Sequence, residues 1–223
     1  MPVAPSPTAS IVVLSDVDWE TYEKLRSSDG NRNLRMTYDQ GVLENVSPSK
    51  LRERLAELLG RLVLVWTEER RIPVQSGGST TFNIEPRQRG LEPDKCFFIE
   101  NEMAVRERDE HDPTIDPAPD LAIEIDVSSS PEVRLPIYAN LGIREIWRWK
   151  EERLEVFLLD DSGRYVERSD SMVLPGFPIA AAVDVLRQRH SSDETTLVGG
   201  FGTTCRQCNK VPLQTIGIGP GSC

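Results

Sequence analysis

The most regular apolar pattern in the sequence spans residues 51–66. Apolar residues recur there at spacings of three and four, which places them on one face of an α-helix. A second pattern spans residues 121–127, where Glu124 and Asp126 alternate with apolar residues in a run typical of a β-strand. The two patterns predict a long amphipathic helix and a strand that is apolar on one face and carries two carboxylates on the other.

Shorter elements fill the rest of the chain, separated by turns rich in Gly, Pro, Asp and Ser. Strands and helices alternate irregularly, which predicts an α/β fold with a mixed central β-sheet flanked by helices. Ser15 is the expected N-cap of the first helix. The other predicted helices are 19–26, 131–140 and 178–189, and the other predicted strands are 34–38, 42–46, 72–75, 80–84, 95–99, 144–149, 154–159 and 164–167.

The two ends of the chain depart from this pattern. Residues 1–14 have no basic residue ahead of an apolar core, so they do not resemble a signal peptide. We expect them to form a short disordered lead. After His190, glycines and threonines replace the apolar periodicity, which predicts an atypical, poorly ordered tail over residues 190–223. The folded domain is therefore expected at residues 15–189.

The composition is that of an ordinary globular chain: 38% of its 223 residues are hydrophobic and 28% are charged. A net charge of −10 argues against a generic basic nucleic-acid coat but is compatible with a metal-dependent enzyme. No apolar run approaches about 20 residues, so no membrane-spanning helix is expected. Four cysteines are too few for a disulfide scaffold, which favours the reducing cytoplasm.

Three carboxylates form the candidate site. Glu124 and Asp126 share one face of the predicted strand, and Asp94 lies at the entrance of the strand 95–99. Like charges on an apolar strand are costly to desolvate, and Mg²⁺ or Mn²⁺ would relieve that cost. Such an ion can polarise a phosphodiester and activate a water. The alternative is that all three acids are solvated, and the spacing alone divides the two interpretations about evenly.

Two further residues are weaker candidates. Glu44 precedes the long helix and could reach the same site, although a solvent-facing strand position is the more common situation for such a residue. Arg134 begins the helix that follows the Glu124 strand and could stabilise charge on a phosphate. An exposed helical arginine is at least as common.

The tail holds a possible metal motif. Cys205 and Cys208 have the spacing of half a zinc knuckle or of a redox pair, and His190 and Cys223 are the only plausible further ligands. A zinc-binding tail therefore remains a minor alternative.

Several of these segments together resemble the Uma2 putative restriction endonuclease family, a branch of the PD-(D/E)XK nuclease superfamily. The similarity covers about residues 15–189, and its order and spacing are more specific than any one segment. The matching segments are Gly41-Val-Leu-Glu-Asn-Val-Ser-Pro-Ser49, Gly78-Ser-Thr-Thr-Phe82, Gly90-Leu-Glu-Pro-Asp94, Pro119-Asp-Leu-Ala-Ile-Glu-Ile-Asp126 and Tyr138-Ala-Asn-Leu-Gly-Ile-Arg-Glu-Ile-Trp147.

The resemblance implies a restriction-endonuclease-like core that cuts DNA with a divalent metal. Asp94 matches the acid of the PD element, Glu124 matches the acid of the (D/E)XK element, and Glu44 matches an acid common in the first hairpin. The motif lysine is absent, because Ile125 and Asp126 occupy its place.

Further departures from the family concern two arginines and the C-terminal segment. Relatives often have a lysine where this chain has Arg134 and a histidine where it has Arg52. Arginine keeps the charge but is a poor proton acceptor, so a role as general base is lost. Past residues 193–195, relatives usually continue into a helix with a tryptophan, whereas this chain has Gly202-Thr-Thr-Cys205. A frameshifted or decayed terminus is one explanation.

These observations predict a divalent-metal-dependent DNA endonuclease that uses Mg²⁺ or Mn²⁺. Asp94, Glu124 and Asp126 would bind the metal, Glu44 would support the site, and Arg134 would contact phosphate. A homodimer is plausible because cutting both strands needs two sites. The alternative is a catalytically impaired nuclease fold that serves as a binding or interaction module. The residues expected to form a local basic groove for DNA are Arg144, Arg148 and Lys150.

Overall fold

A computed structural model describes residues 11–31, 34–47, 49–85, 88–126 and 134–208 of the 223-residue chain. These ranges contain the following strands and helices in chain order: β1 (Ile11–Leu14), α1 (Trp19–Ser27), β2 (Arg35–Asp39), β3 (Val42–Val46), α2 (Lys50–Arg70), β4 (Gln75–Gly78), β5 (Phe82–Ile84), β6 (Arg89–Leu91), β7 (Lys95–Phe98), α3 (Glu102–Val105), β8 (Leu121–Asp126), α4 (Arg134–Leu141), β9 (Glu145–Lys150), β10 (Arg153–Leu159), β11 (Tyr165–Arg168), α5 (Ile179–Arg187) and α6 (Glu194–Cys208).

The strands form two sheets. The larger sheet has the order β11-β10-β9-β8-β7-β4, and it is mixed because β8 and β9 are parallel while its other neighbours are antiparallel. The smaller sheet is antiparallel, with the order β1-β3-β2-β6-β5. The predicted α/β class with a mixed sheet flanked by helices is confirmed, and the second sheet is an addition that the sequence did not indicate.

The mixed sheet separates two apolar clusters. On one face, Ile123 and Ile125 of β8 pack with α2, α5 and α6 in the larger cluster. On the other face, Ala122 packs with Ile137 and Tyr138 of α4. Alternation along β8 places Glu124 on this second face, which faces α4 rather than the long helix.

Helix α2 confirms the amphipathic pattern, since Leu55, Leu59, Leu62 and Trp66 are buried on one stripe. The helix starts after Ser49. Arg71 ends it with a left-handed backbone (φ 54°), and its N–H donates to the carbonyls of the last turn.

Several local predictions need correction. The N-cap of α1 is Asp18, whose Oδ1 accepts a hydrogen bond from the Thr21 N–H at 2.7 Å, rather than Ser15. The strand predicted at 72–75 lies at Gln75–Gly78, and it and β5 are successive strands of different sheets. Strand β6 and helix α3 were not predicted. Residues 127–133, which hold the predicted start of the helix at 131, lie outside the described residues, and α4 is described from Arg134.

Part of the expected disordered lead is a strand. Residues 11–14 form β1, which pairs antiparallel with β3, while residues 1–10 lie outside the described residues.

Part of the expected disordered tail is a packed helix. Leu197, Phe201 and Cys205 of α6 are buried in the larger apolar cluster. The helix is also held by charge, because Glu194 accepts hydrogen bonds from Arg54 at 3.0 Å and from Arg61 at 3.1 Å on α2. Residues 209–223 lie outside the described residues.

Candidate active site

Asp94 and Glu124 lie opposite each other at the end of the mixed sheet. In the antiparallel register of β7 and β8, Lys95 pairs with Ile123, so the next residues along, Asp94 and Glu124, face one another. Both are buried, with 2% and 6% of their surfaces exposed. The sequence placed these acids about thirty positions apart, and the sheet brings them together on one face.

The backbone of β8 fixes the position of Asp94. The Asp94 N–H donates to the Ile123 carbonyl at 3.1 Å, and the Ile125 N–H donates to Asp94 Oδ2 at 2.7 Å. Because the carboxylate and the main chain of Asp94 are both tied to the same strand, its direction does not depend on a flexible loop.

Two arginines neutralise Asp94. Arg52 Nε, from the first turns of α2, lies 2.9 Å from Oδ1 and 3.0 Å from Oδ2. Arg35 Nη1, from the start of β2, lies 3.0 Å from Oδ1, and its Nη2 donates to Glu53 at 3.0 Å. These elements therefore supply positive charge from the side of the small sheet and the long helix.

Glu124 is held by three donors. Arg52 Nη2 lies 3.3 Å and Arg134 Nη1 lies 3.0 Å from Glu124 Oε2. The Tyr138 hydroxyl donates to Glu124 Oε1 from within α4. All four oxygens of the Asp94 and Glu124 carboxylates thus accept at least one hydrogen bond from the protein.

Glu44 joins the same network through Arg134. Arg134 Nη2 lies 2.5 Å from Glu44 Oε1, so one guanidinium connects β3 with β8. Glu44 is 8% exposed, which excludes the solvent-facing position that its sequence context favoured. The structure therefore brings together Glu44, Asp94, Glu124 and Arg134 of the predicted residues.

Burial and neighbouring charges shift the pKa values of Asp94 and Arg134. Burial, and then the charge of Glu124, raise the pKa of Asp94 above its usual 3.8, against the opposing effect of Arg52 and Arg35. Burial acts to lower the pKa of Arg134, but Glu124 and Glu44 outweigh it and raise that pKa above its usual 12.5. Arg134 therefore stays charged and cannot accept a proton.

Tyr138 stays protonated for a similar reason. Burial, followed by the charge of Glu124, raises the pKa of Tyr138 well above its usual 10.0. The hydroxyl therefore acts as a hydrogen-bond donor to Glu124 over the whole physiological pH range.

Asp126 lies two residues beyond Glu124 on the same strand. Its Oδ2 is 3.7 Å from Lys150 Nζ on the parallel neighbour β9. Within the described ranges, no three His, Cys, Asp or Glu side chains are grouped so that they could hold a metal ion. The expected three-acid set of Asp94, Glu124 and Asp126 is therefore not assembled, and the pair Asp94 and Glu124 remains.

This pair fits a hard divalent cation by its chemistry. Carboxylates are the ligands that Mg²⁺ or Mn²⁺ prefers, and a bound cation would remove the repulsion between two opposed negative charges. Mg²⁺ commonly binds only one or two protein carboxylates. The arginines already bind the same oxygen atoms. The residue types therefore suit the ion, but the space between the two carboxylates is taken by guanidinium groups.

The expected basic groove is largely neutralised. Arg148 Nε lies 2.7 Å from Glu155, and Arg144 Nη1 lies 2.5 Å from Glu100. Arg144 and Lys150 flank opposite ends of β9, about 20 Å apart at the rise of a strand. The three cations therefore do not form one free positive stripe.

Three residues of the network were not predicted to be part of the site. Arg52 carried a usable signal, because it lies on the buried stripe of α2, three residues before Leu55, where an unpaired charge is costly. Tyr138 belongs to a segment that resembles the family, but nothing in the sequence assigned it a role. Arg35 had no signal, since a lone arginine at a strand start is ordinary.

The described residues contain no group of ligands for the zinc alternative. Cys205 is fully buried in the apolar cluster, and Cys223 lies outside the described residues. Apolar packing accounts for Cys205 without a metal.

The described residues form an α/β fold in which Asp94 and Glu124 oppose each other at the end of a mixed sheet. A family model described as Uma2, putative restriction endonuclease, matches residues 19–186, and the chain belongs to this family. A crystal structure of a putative nuclease belonging to DUF820, from Anabaena variabilis ATCC 29413, is similar at a TM-score of 0.48 and 15% identity, over 83% of this chain and 99% of that one. No curated protein matches the chain. No helix in the described ranges is long and apolar enough to cross a membrane.

Proposed function

We propose that the chain is a divalent-metal-dependent nuclease that hydrolyses phosphodiester bonds of DNA. The observation that carries the proposal is the opposition of two buried carboxylates, Asp94 and Glu124, on neighbouring strands of the mixed sheet. The chain's membership of a family named for putative restriction endonucleases supports the same reaction class.

Asp94 and Glu124 would hold the Mg²⁺ or Mn²⁺ ion. When bound, such an ion polarises the phosphodiester and lowers the pKa of an attacking water. The protein would contribute rigid placement, because Asp94 is tied to the β8 backbone through Ile125 and Glu124 is held by Tyr138.

Arg134 would act by charge alone. It keeps its proton between Glu124 and Glu44, so it would orient Glu124 and stabilise negative charge on a phosphate without accepting a proton. Glu44 would hold Arg134 in place from β3. Asp126, paired with Lys150 at the same sheet end, would support the site from outside the metal's ligand set.

The substrate surface would bind DNA weakly. The net charge is −10, and Arg144, Arg148 and Lys150 each have an acidic partner. Cations that are already paired with acids make fewer phosphate contacts, so these three would add little affinity for arbitrary DNA and a second chain would help to hold the duplex. A homodimer would linearise a plasmid, whereas a single site would leave an open circle.

A plasmid-nicking assay tests the proposal. Supercoiled plasmid is incubated with MnCl₂ and either wild type or Glu124→Ala, with EDTA as a further arm. The control variant is Glu102→Ala, which removes a carboxylate paired with Arg106 beyond the other end of β7. We expect nicking by wild type and Glu102→Ala, and none by Glu124→Ala or with EDTA. Equal nicking by all three proteins would contradict the proposal.

One observation favours a second candidate, a non-catalytic binding module with a nuclease fold. Every oxygen of the Asp94 and Glu124 carboxylates already accepts a hydrogen bond from the protein. This candidate predicts no nicking by wild type and no Mn²⁺ binding in calorimetry.

A further inference from the structure

Arg52 bridges the two acids of the proposed site. Its Nε contacts both oxygens of Asp94, and its Nη2 contacts Glu124 at 3.3 Å. The Arg52 side chain is only 6% exposed, so water does not screen these contacts. One guanidinium thus contacts both opposed carboxylates, while Arg35 and Arg134 add positive charge beside one acid each.

The other two arginines of the network are shared with further acids. Arg35 also contacts Glu53, and Arg134 also contacts Glu44. The ion pairs of Arg52, by contrast, are with Asp94 and Glu124. Within the described ranges, Arg52 is therefore the arginine of this network whose ion pairs are confined to the two acids.

A divalent ion bound by Asp94 and Glu124 would need the oxygen lone pairs that Arg52 now uses. Arg52 is the guanidinium that contacts both acids, whereas Arg35 and Arg134 each contact one of them. A divalent ion and a guanidinium that keeps its proton would repel each other strongly between the same two buried carboxylates. The ion and the guanidinium are thus alternatives rather than neighbours.

We propose that Arg52 is the built-in counter-cation of the Asp94–Glu124 pair, and that a divalent metal binds the pair only after Arg52 has left it. The proposal rests on the proposed function, because it takes Asp94 and Glu124 as the metal ligands. It assigns to Arg52 the control of metal affinity: the metal-free site is complete and neutralised, and each binding event must displace this side chain.

Calorimetric titration with MnCl₂ alone tests the proposal without any activity measurement. The proteins are wild type, Arg52→Ala, and the control Arg35→Ala, which removes a partner of Asp94 that does not touch Glu124. We expect Arg52→Ala to bind one Mn²⁺ at least about tenfold more tightly than wild type, with a smaller change for Arg35→Ala. The double variant Arg52→Ala/Asp94→Asn should lose the gain.

A second variant covers the case in which Arg52→Ala does not fold, as an uncompensated acid pair is destabilising. Arg52→Lys keeps one positive charge but lacks the fork that reaches both carboxylates, so it should fold and bind Mn²⁺ more tightly than wild type. Circular dichroism checks the folding of each protein.

The outcomes separate this inference from the function on which it rests. Equal Mn²⁺ affinity of wild type and the folded Arg52 variants would overturn the inference while leaving the metal site in place. A gain that survives Asp94→Asn would overturn it too, because the ion would then bind elsewhere. If neither wild type nor the folded Arg52 variants bind Mn²⁺, both the inference and the metal-dependent function are wrong.

Discussion

Asp94 lies directly opposite Glu124 at the end of β7 and β8, and the guanidinium of Arg52 contacts both carboxylates. The two acids would repel each other without it, and the raised pKa of Asp94 reflects both its burial and the charge of Glu124. Because each acid is also fixed by a further donor, the pair is rigid before any ligand binds.

The Tyr138 hydroxyl positions Glu124, so its removal should affect the reaction. We predict that Tyr138→Phe leaves Glu124 Oε1 without its donor, costs about 1–3 kcal/mol of stability and slows Mn²⁺-dependent nicking. Urea unfolding and nicking rates measure the two effects. If Tyr138→Phe nicks at the wild-type rate at every MnCl₂ concentration, Tyr138 does not position Glu124.

Glu145 holds the loop around residues 171–173, at the other end of β8 and β9 from Glu124. It is fully buried and accepts hydrogen bonds from Trp147 Nε1 at 2.6 Å, from Ser171 Oγ at 2.6 Å, and from the N–H groups of Met172 and Val173. Glu145→Ala should lower the free energy of unfolding by about 3–5 kcal/mol, because four donors lose their acceptor.

The exposed Glu167 on β11 provides the control for Glu145. Glu167→Ala should change the free energy of unfolding by no more than about 0.5 kcal/mol in the same urea titration. Similar losses in the two variants would show that the buried network is not what makes Glu145 important.

Helix α6 should contribute strongly to stability. Phe201 is 2% exposed and packs against Phe177, with ring centroids 5.6 Å apart. Phe201→Ala should cost about 3–5 kcal/mol in urea unfolding, whereas Gln207→Ala on the exposed face should cost no more than about 0.5 kcal/mol. A poorly ordered tail would instead make both substitutions nearly neutral.

His111 gives stability a specific pH dependence. Burial lowers the pKa of His111 below its usual 6.5, and the opposing effects of Asp116 and Asp112 are smaller. Its ring packs edge-on to Phe82, with centroids 5.0 Å apart. The unfolded chain therefore takes up the proton first, so stability is lost as the pH falls from 6.5 through the lower folded-state pKa.

Urea unfolding at about pH 7.5 and about pH 5.5 measures this effect. The drop in stability between the two pH values should be smaller for His111→Gln than for wild type. His190→Gln, at an exposed position, should keep the wild-type drop. An unchanged drop in His111→Gln would contradict the assignment.

Local patterns were sufficient for much of the fold. Helix α2 follows from the spacing of its apolar residues, and β8 follows from the alternation of Glu124 and Asp126 with apolar residues, because both patterns are local. Helix α6 was missed since Gly199, Gly200 and Gly202 lower helix propensity, although Leu197, Phe201 and Cys205 already had four-residue spacing. The division into two sheets depends on long-range pairing, which no local pattern encodes.

The sequence was sufficient to predict the acids of the candidate site, but not the arginines that pair with them. Asp94 and Glu124 stand out as carboxylates beside apolar strands, and the resemblance assigned them roles. The bridge by Arg52 depends on how α2 lies against the sheet end, a tertiary relationship. Asp126 has the same strand face as Glu124, but shared alternation does not decide which side chains converge on one point.

The most direct measurement of the central claim is the Mn²⁺-dependent nicking rate of wild type beside Asp94→Asn, purified in parallel and checked for folding by circular dichroism. The account predicts nicking by wild type and a loss of at least about 100-fold in folded Asp94→Asn. Equal rates for the two proteins, or no nicking by wild type at any MnCl₂ concentration, would contradict the claim that the Asp94–Glu124 pair is a nuclease centre.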